Sequence, residues 1–275
     1  MQKFIDFLKA HKVINLLLLV SYYLAVVLLH VVVGKFINKS FKTVSRGTYN
    51  SIILSLSVAA IGLTAWILWR RYKQHPARRD ISWIIGYSLL AIIGCFTVLF
   101  VINIEAIHFV QYAILGILLF PLTESATATM IFGTIAGALD ELYQYLVLDT
   151  RAKYYDFNDV YLDSVGTGLG LLCMAIMGIA FVRRRGSWYK RAEWVLPLLI
   201  VIILVMMAML GEFSIHLDTT SPASFTLIKA IPEGFWHYPK GPYARFHILT
   251  PLPGLLLVGF TLWVYARLDR LRGLT

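Results

Sequence analysis

The sequence predicts an all-α, polytopic transmembrane bundle of about eight spans with a short irregular extracytoplasmic loop. The first observation behind this prediction is composition: 59% of the 275 residues are hydrophobic and only 15% are charged, whereas soluble domains carry roughly 25% charged residues. The second is that the apolar residues form runs of about 18–23 residues, long enough to cross a hydrocarbon core of ~30 Å as helices. The third is how the basic residues are distributed between these runs.

The apolar runs divide the chain into three blocks. Residues 1–80 contain two spans, residues 81–186 contain the spans that carry polar side chains, and residues 187–275 add two spans around a loop at 212–247. The fourth run is short and could instead form a membrane hairpin with the fifth, which leaves the sidedness of later segments unchanged. The predicted spans lie at roughly 13–34, 50–69, 81–103, 104–121, 126–148, 158–182, 194–211 and 248–266.

The formal net charge of +10 does not indicate nucleic-acid binding, because the basic residues follow membrane sidedness. With a cytoplasmic N-terminus, most of them fall in cytoplasmic segments, and the positive-inside rule then predicts that both termini are cytoplasmic. The segment 35–49 disagrees, since its basic residues fall outside. The basic residues on the predicted cytoplasmic side are Lys3, Lys9, Lys12, Arg70, Arg71, Lys73, Arg78, Arg79, Arg183, Arg184, Arg185, Lys190, Arg191, Arg267, Arg270 and Arg272.

The outside loop 212–247 is rich in proline and aromatic residues. Pro222, Pro232, Pro239 and Pro242 are spaced too densely for a long helix. We therefore expect an ordered but irregular cap with short helical pieces, whose aromatic rings lie at the membrane interface.

The fourth span carries Glu105, His108 and Tyr112 at positions i, i+3 and i+7, which lie on one helical face. A Glu-x-x-His pair on a bundle helix can present two metal ligands inward. The alternative is that Glu105 ends the span at the water interface while His108 hydrogen-bonds a neighbouring backbone group. The spacing alone leaves both interpretations open.

The fifth span ends with Asp140, Glu141 and Gln144. Adjacent residues point in different directions on a helix, so we expect one carboxylate to face the bundle and the other the interface, with Glu141 as the inward residue. The alternative is two solvated carboxylates at a helix end.

The sixth span carries a continuous stripe of Asp159, Asp163, Gly166 and Gly170 at i, i+4, i+7 and i+11. Carboxylates near a helix N-terminus are favoured by the helix dipole, and the glycines form a groove that lets another helix approach closely. Capping acids followed by a packing face would explain the glycines, but Asp163 lies a full turn inside the helix. Arg151, between the fifth and sixth spans, could supply a cation to these acids.

The crossing count places the polar ends of spans four, five and six in the same leaflet. Unpaired ionisable groups at the edge of the hydrocarbon cost roughly 2.5–3.5 kcal/mol each on insertion scales, so they are usually paired, hydrated or functional. We therefore expect one polar site inside the bundle, near the outer surface.

Two sequence stretches resemble the VanZ-like family over residues 81–182. The first is the run 108–116, His-Phe-Val-Gln-Tyr-Ala-Ile-Leu-Gly, and the second is the run 140–144, Asp-Glu-Leu-Tyr-Gln, followed by Arg151 and Asp159. In that family an acidic residue and a histidine precede a Phe-x-x-Tyr-x-x-Leu-Gly run. A Glu-x-x-Gln pair ends the next span, an arginine follows, and an aspartate with asparagine and glycines starts the last span, as Asp159 with Gly166 and Gly170 does here. Asp163 departs from the family, which commonly has asparagine there.

The resemblance implies a bacterial cytoplasmic-membrane protein with a cell-envelope role, since VanZ-like proteins are linked to resistance to lipoglycopeptide antibiotics such as teicoplanin. The resemblance does not imply a particular chemical reaction. Carried over residue by residue, it points to Glu105, His108, Tyr112, Glu141, Gln144, Arg151 and Asp159.

The leading functional expectation is a site that binds an envelope lipid, a lipid-linked group or a lipoglycopeptide headgroup, without a cofactor. One alternative is a metal-dependent membrane hydrolase or transferase, for which oxygen ligands and a single histidine favour Mg²⁺ or Mn²⁺ over Zn²⁺. Another is a structural subunit of a larger membrane complex. The predicted ligand-binding residues are Glu105, His108, Tyr112, Asp140, Glu141, Gln144, Arg151, Asp159 and Asp163.

Overall fold

The structure is a computed structural model that describes residues 1–40, 44–148, 154–182, 187, 191–216, 223–228, 234–238 and 245–271. Nearly all of the regular structure in these ranges is helical. The helices are α1 Gln2–Ala10, α2 Lys12–Ser40, α3 Arg46–Gln74, α4 Arg78–Gly94, α5 Ile107–Thr123, α6 Ala126–Tyr143, α7 Phe157–Ile176, α8 Ala192–Met209 and α9 Pro251–Ala266. Short π-helical turns follow α4 at Cys95–Leu99 and α6 at Gln144–Leu148, and 3₁₀ turns precede α5 at Asn103–Ala106 and follow α9 at Arg267–Arg270.

The prediction of a helical bundle of the membrane type is confirmed. Each predicted span overlaps one of the helices α2 to α9, and seven helices in the described ranges are long and apolar enough to cross a membrane. Helix α6 is not among the seven. It carries Asp140 and Glu141 near its end and several threonines and glycines along its length, so the total number of crossings remains a prediction.

Helix α7 lies at the centre of the bundle and contacts α5, α6 and α9. The predicted glycine groove explains the closest of these approaches. A Cβ atom on Gly166 would lie 2.9 Å from the carbonyl oxygen of His108, and one on Gly170 would overlap the carbonyl oxygen of Ala113. The backbone of α5 therefore lies directly against the glycine face of α7.

Helix α9 packs on the opposite side of α7 through a tyrosine. The ring of Tyr265 occupies the space where a side chain on Gly168 would lie. Its hydroxyl is 2.7 Å from the hydroxyl of Ser88 on α4, so this buried tyrosine joins three helices. The short helix α1 was not predicted from the sequence, and its Ile5 belongs to the same hydrophobic cluster as Tyr265.

The segment 212–247 contains strands where we expected helical pieces. Strand β1, Phe213–His216, pairs in parallel with β2, Phe225–Ile228, in the part of this segment that the structure describes. Aromatic and β-branched residues dominate β2 and favour this conformation. The sheet lies over the end of α6, because the hydroxyl of Tyr145 donates to the carbonyl oxygen of Thr226. The four prolines of the loop lie outside the described residues.

Candidate functional site

A buried histidine–carboxylate pair joins α5 to α7. The ring nitrogen Nδ1 of His108 lies 2.8 Å from Oδ1 of Asp163, and the two side chains are only 6% and 1% exposed. On its other side, Nε2 of His108 lies 3.9 Å from Oδ2 of Asp159, whose side chain is 17% exposed. His108 therefore contacts carboxylates of the neighbouring helix, where one interpretation of the sequence placed a backbone acceptor.

Tyr112 extends the same face of α5 toward α6. Its hydroxyl donates to Oδ2 of Asp140 over 3.3 Å, and both residues are almost completely buried. His108 and Tyr112 lie one turn apart on α5 and contact different helices: His108 contacts α7, and Tyr112 contacts α6. This contact brings the third helix into the cluster.

Asp140 and Glu141 are both buried, so the expectation that one of them faces the interface is wrong. Glu141 is buried as expected of the inward residue, but Asp140, which we expected at the interface, is buried too and makes the contact to α5. The amide of Gln144 donates to Glu141 over 2.7 Å and approaches Asp140 at 3.4 Å. Directly after Gln144, the hydroxyl of Tyr145 donates to the carbonyl oxygen of Thr226 in β2, so the sheet lies beside this end of α6.

Glu105 serves the local backbone. Its two carboxylate oxygens accept hydrogen bonds from the backbone amides of Val101 and Ile102 over 3.1 Å and 3.3 Å, which caps the turn before α5. The side chain remains partly exposed, close enough to Asp159 for the two charges to interact. Glu105 therefore lies at the partly exposed edge of this group of polar side chains, whereas His108 and Asp163 are buried within it.

The second oxygen of Asp163 has an unusual environment. Oδ2 is buried and has no hydrogen-bond partner among the described residues. It faces α6 at Gly137, where a Cβ atom would lie 2.7 Å from it. A glycine at this position is therefore required for α6 to pass beside the Asp163 carboxylate.

Arg151, the predicted cation of the site, lies outside the described residues. The side chains that the structure brings together, which we call the polar cluster, are His108, Tyr112, Asp140, Glu141, Gln144, Asp159 and Asp163. They come from the first half of α5, the end of α6 and the first half of α7.

Three residues beside the polar cluster were missed by the sequence analysis. The hydroxyl of Tyr155 donates to the carbonyl oxygen of Ala138 over 2.6 Å, which ties the start of α7 to α6. Buried Asn158 donates to the carbonyl oxygen of His247 and accepts from the amide of Leu249, both over 2.8 Å. The sequence carries no local signal for Asn158, because its partners lie far along the chain.

Asp156 is the third missed residue, and it had a recognisable signal. Its side chain accepts a hydrogen bond from the amide of Asn158 over 2.9 Å, as an N-cap residue does before an apolar helix. Burial and, after it, the nearby charge of Asp159 together raise the pKa of the Asp156 carboxyl to about 7.

Among the described residues, carboxyl groups are concentrated at this end of the bundle. Six carboxyl groups interact with one another around His108: Glu105, Asp140, Glu141, Asp156, Asp159 and Asp163. Like charges held close together in a poorly solvated region repel strongly. Protons, cations or hydrogen-bond donors from a ligand would relieve that repulsion.

The donor set was tested for a metal ion. Within the described ranges, no group of three or more His, Cys, Asp or Glu side chains is arranged to hold one. The carboxylates that touch His108 come from a single helix face, and those of α6 are turned toward Gln144 and Tyr112. The described residues do not fit a preformed metal site.

Comparison of the chain with protein-family models, with curated proteins and with solved structures finds no match. The resemblance to the VanZ-like family therefore rests on the residues quoted from the sequence and stays a prediction.

Proposed function

We propose that this chain is a bacterial integral membrane protein that binds the headgroup of an envelope lipid, a lipid-linked group or a lipoglycopeptide in the polar cluster. The observation that carries the proposal is the hydrogen-bonded pair of His108 and Asp163, buried between two helices and linked through Tyr112 to Asp140. Such groups are costly to bury in an apolar bundle, and they are rare there without a function.

The charge of the cluster narrows the chemistry of the ligand. Six carboxyl groups around one histidine favour a headgroup that offers amine or hydroxyl donors, such as an amino sugar or an ethanolamine. Asp159 and Glu105 at the rim would make the first contacts, since both retain exposure to the surroundings. Arg151 would meet an anionic group of the same ligand.

The proposed orientation places the polar cluster near the outer leaflet and both termini in the cytoplasm. Two features support it: the positive-inside distribution of basic residues and the position of the cluster at the end of the bundle opposite to Arg267 and Arg270.

The test replaces Glu141 with glutamine, which keeps its size and removes its charge. We expect Glu141→Gln to abolish lipoglycopeptide protection in a susceptible bacterial host while the protein still inserts in the membrane. Asp80→Asn is the matched control, because Asp80 is an exposed carboxylate at the start of α4, far from the cluster. Unchanged susceptibility of cells that carry the Glu141→Gln protein would refute the proposal.

A metal-dependent hydrolase or transferase is the second candidate. The described residues form no preformed metal site, and the observation in favour of this candidate is Oδ2 of Asp163, which is buried without a hydrogen-bond partner among the described residues. Metal analysis of the purified protein separates it from simple binding. About one equivalent of a divalent ion, lost in Asp163→Asn, would favour this candidate. Less than about a tenth of an equivalent would exclude it.

A further inference from the structure

A cavity lies at the opposite end of the bundle from the polar cluster. Its volume is about 600 Å³, and it is formed where α6 begins, α8 begins and α9 ends. The start of α6 at Ala126 and the position of Asp140 are separated by about 20 Å of helix, given a rise of ~1.5 Å per residue. We call this space the basic cavity, because Arg191, Arg267 and Arg270 line it.

One of the two carboxylates in the cavity wall is fully engaged by the fold. Asp269 accepts hydrogen bonds from the backbone amides of Ala126 and Thr127, over 2.6 Å and 2.9 Å. It also accepts from the hydroxyls of Ser125 and Thr127, over 2.9 Å and 2.7 Å. Its charge therefore caps the N-terminus of α6, where the helix dipole favours it.

The second carboxylate, Glu193, is buried and lies 3.9 Å from Nε of Arg191. Among the described residues, this pair leaves Arg267 and Arg270 as the positive charges that line the remaining space. Both side chains are exposed at the end of α9. The cavity therefore presents a net positive surface to whatever enters it.

Two tryptophans place the basic cavity at the depth of lipid headgroups. The guanidinium of Arg267 lies 3.9 Å above the ring of Trp263, and that of Arg191 lies 5.9 Å above the ring of Trp194. Tryptophans of this kind concentrate at the membrane–water interface. Stacking also fixes the direction of the guanidinium groups, which favours paired hydrogen bonds to phosphate.

The inner wall of the basic cavity is apolar. Ile131, Leu262 and Gly259 continue the lining from the arginines toward the middle of the bundle. A lipid that places its headgroup among the arginines would lay an acyl chain along this wall. A free inorganic anion would leave the apolar part of the cavity unused.

We infer that the basic cavity binds an anionic membrane phospholipid, with its phosphate held by Arg267 and Arg270 and an acyl chain on Ile131 and Leu262. Basic pockets between transmembrane helices on the cytoplasmic side bind such headgroups in general. This site is separate from the polar cluster, and neither proposal depends on the other.

The experiment titrates the purified full-length chain in a neutral detergent with short-chain phosphatidylglycerol, using tryptophan fluorescence as the signal. Because charge-assisted hydrogen bonds to phosphate are lost, Arg267→Gln/Arg270→Gln should bind roughly tenfold more weakly than the parent chain. Arg79→Gln is the control, since it removes an exposed charge at the same end of the bundle, outside the cavity. It should bind like the parent chain.

Two comparison ligands identify the source of the phosphate. Short-chain phosphatidylcholine should bind at least tenfold more weakly, because its choline cation lies among the arginines. Inorganic phosphate at the same concentration should not compete. Equal affinity of the double variant, equal binding of phosphatidylcholine, or competition by inorganic phosphate would each overturn the inference. If the double variant melts earlier without lipid, Arg270→Gln alone carries the same expectation, since Arg270 makes no stacking contact of the kind that Arg267 makes with Trp263.

Discussion

Helices α7 and α8 are of similar length, but they occupy opposite environments. In α7, 83% of the span Phe157–Ile176 is buried inside the bundle, whereas in α8 only 6% of Ala192–Met209 is buried. Helix α8 is nevertheless the more apolar of the two. The most hydrophobic helix faces outward, and the one with polar and small residues forms the core.

The difference follows from the solvent. Lipid tails are as apolar as leucine, so α8 gains little by turning inward, and its valine and isoleucine side chains remain at the surface. Helix α7 is held by close packing and polar contacts: Ser164 lies 2.9 Å from Thr134 of α6, and Asp163 pairs with His108. In this bundle polarity therefore identifies the interior, and the candidate site is part of the packing core.

The largest effect should come from removing the partner of the central carboxylate. His108→Ala leaves Asp163 buried without its cation or donor, which costs about 3–5 kcal/mol for a buried pair. The measurement is the free energy of unfolding in mixed detergent micelles.

His11→Ala is the matched control, because His11 is exposed after the short helix α1. It should change the free energy of unfolding by less than ~0.5 kcal/mol. Similar losses in the two variants would mean that the His108–Asp163 pair is not part of the packing core.

A smaller effect on stability should distinguish a glycine of the buried helix α7 from a glycine of the exposed helix α3. Gly170→Ala places a methyl group against the carbonyl oxygen of Ala113, so α5 and α7 must separate, at a cost of about 1–3 kcal/mol. Gly62→Ala in α3 meets no atom within 4 Å and should be neutral or slightly stabilising. Thermal unfolding of both variants in the same detergent measures the contrast. A loss of stability in Gly62→Ala equal to that in Gly170→Ala would show that α3 is packed as tightly as α7.

The sequence was sufficient to predict helices at the apolar runs and a close helix approach at the glycine face of α7, because both follow from local patterns. It did not predict that the approaching helix is α5. Gly166 and Gly170 recur on one helical face, and the structure places the backbone of α5 there. The Asp140–Glu141 pair shows where such reasoning fails. Asp140 is buried against Tyr112 of α5, which lies 28 positions earlier in the chain, and the spacing within α6 carries no signal for that contact.

Asn158 shows the same limit from the opposite direction. It looks like an ordinary helix-start residue in the sequence, yet its acceptor His247 lies 89 positions away. Helical periodicity carries no information about contacts at that separation. The polar residues of the site were predictable from their position at span ends, while the residues that fix and cover them were not.

The smallest predicted effect depends on pH and concerns Asp156, which caps the start of α7. Burial raises the pKa of Asp156 to about 7, above the usual value of 3.8 for this carboxyl. Between these two values the folded protein binds more protons than the unfolded chain, so stability falls as pH rises. Solvent screens the partly exposed side chain, so we expect the charged form to cost the folded state only about 1 kcal/mol above pH 7, less than the full difference in pKa would give.

Asp156→Asn isolates this contribution, because asparagine caps a helix as well as aspartate does and does not titrate. The variant should be more stable than the parent chain at pH 8, and this advantage should disappear by pH 4, where the carboxyl is protonated in the folded state. Asp80→Asn, at the exposed start of α4, is the control for removing a carboxylate at a helix start. The measurement is the melting temperature of the parent chain and of both variants between pH 4 and pH 8. A constant difference between Asp156→Asn and the parent chain would mean that Asp156 stays ionised across this range, and that the start of α7 is as well hydrated as the start of α4.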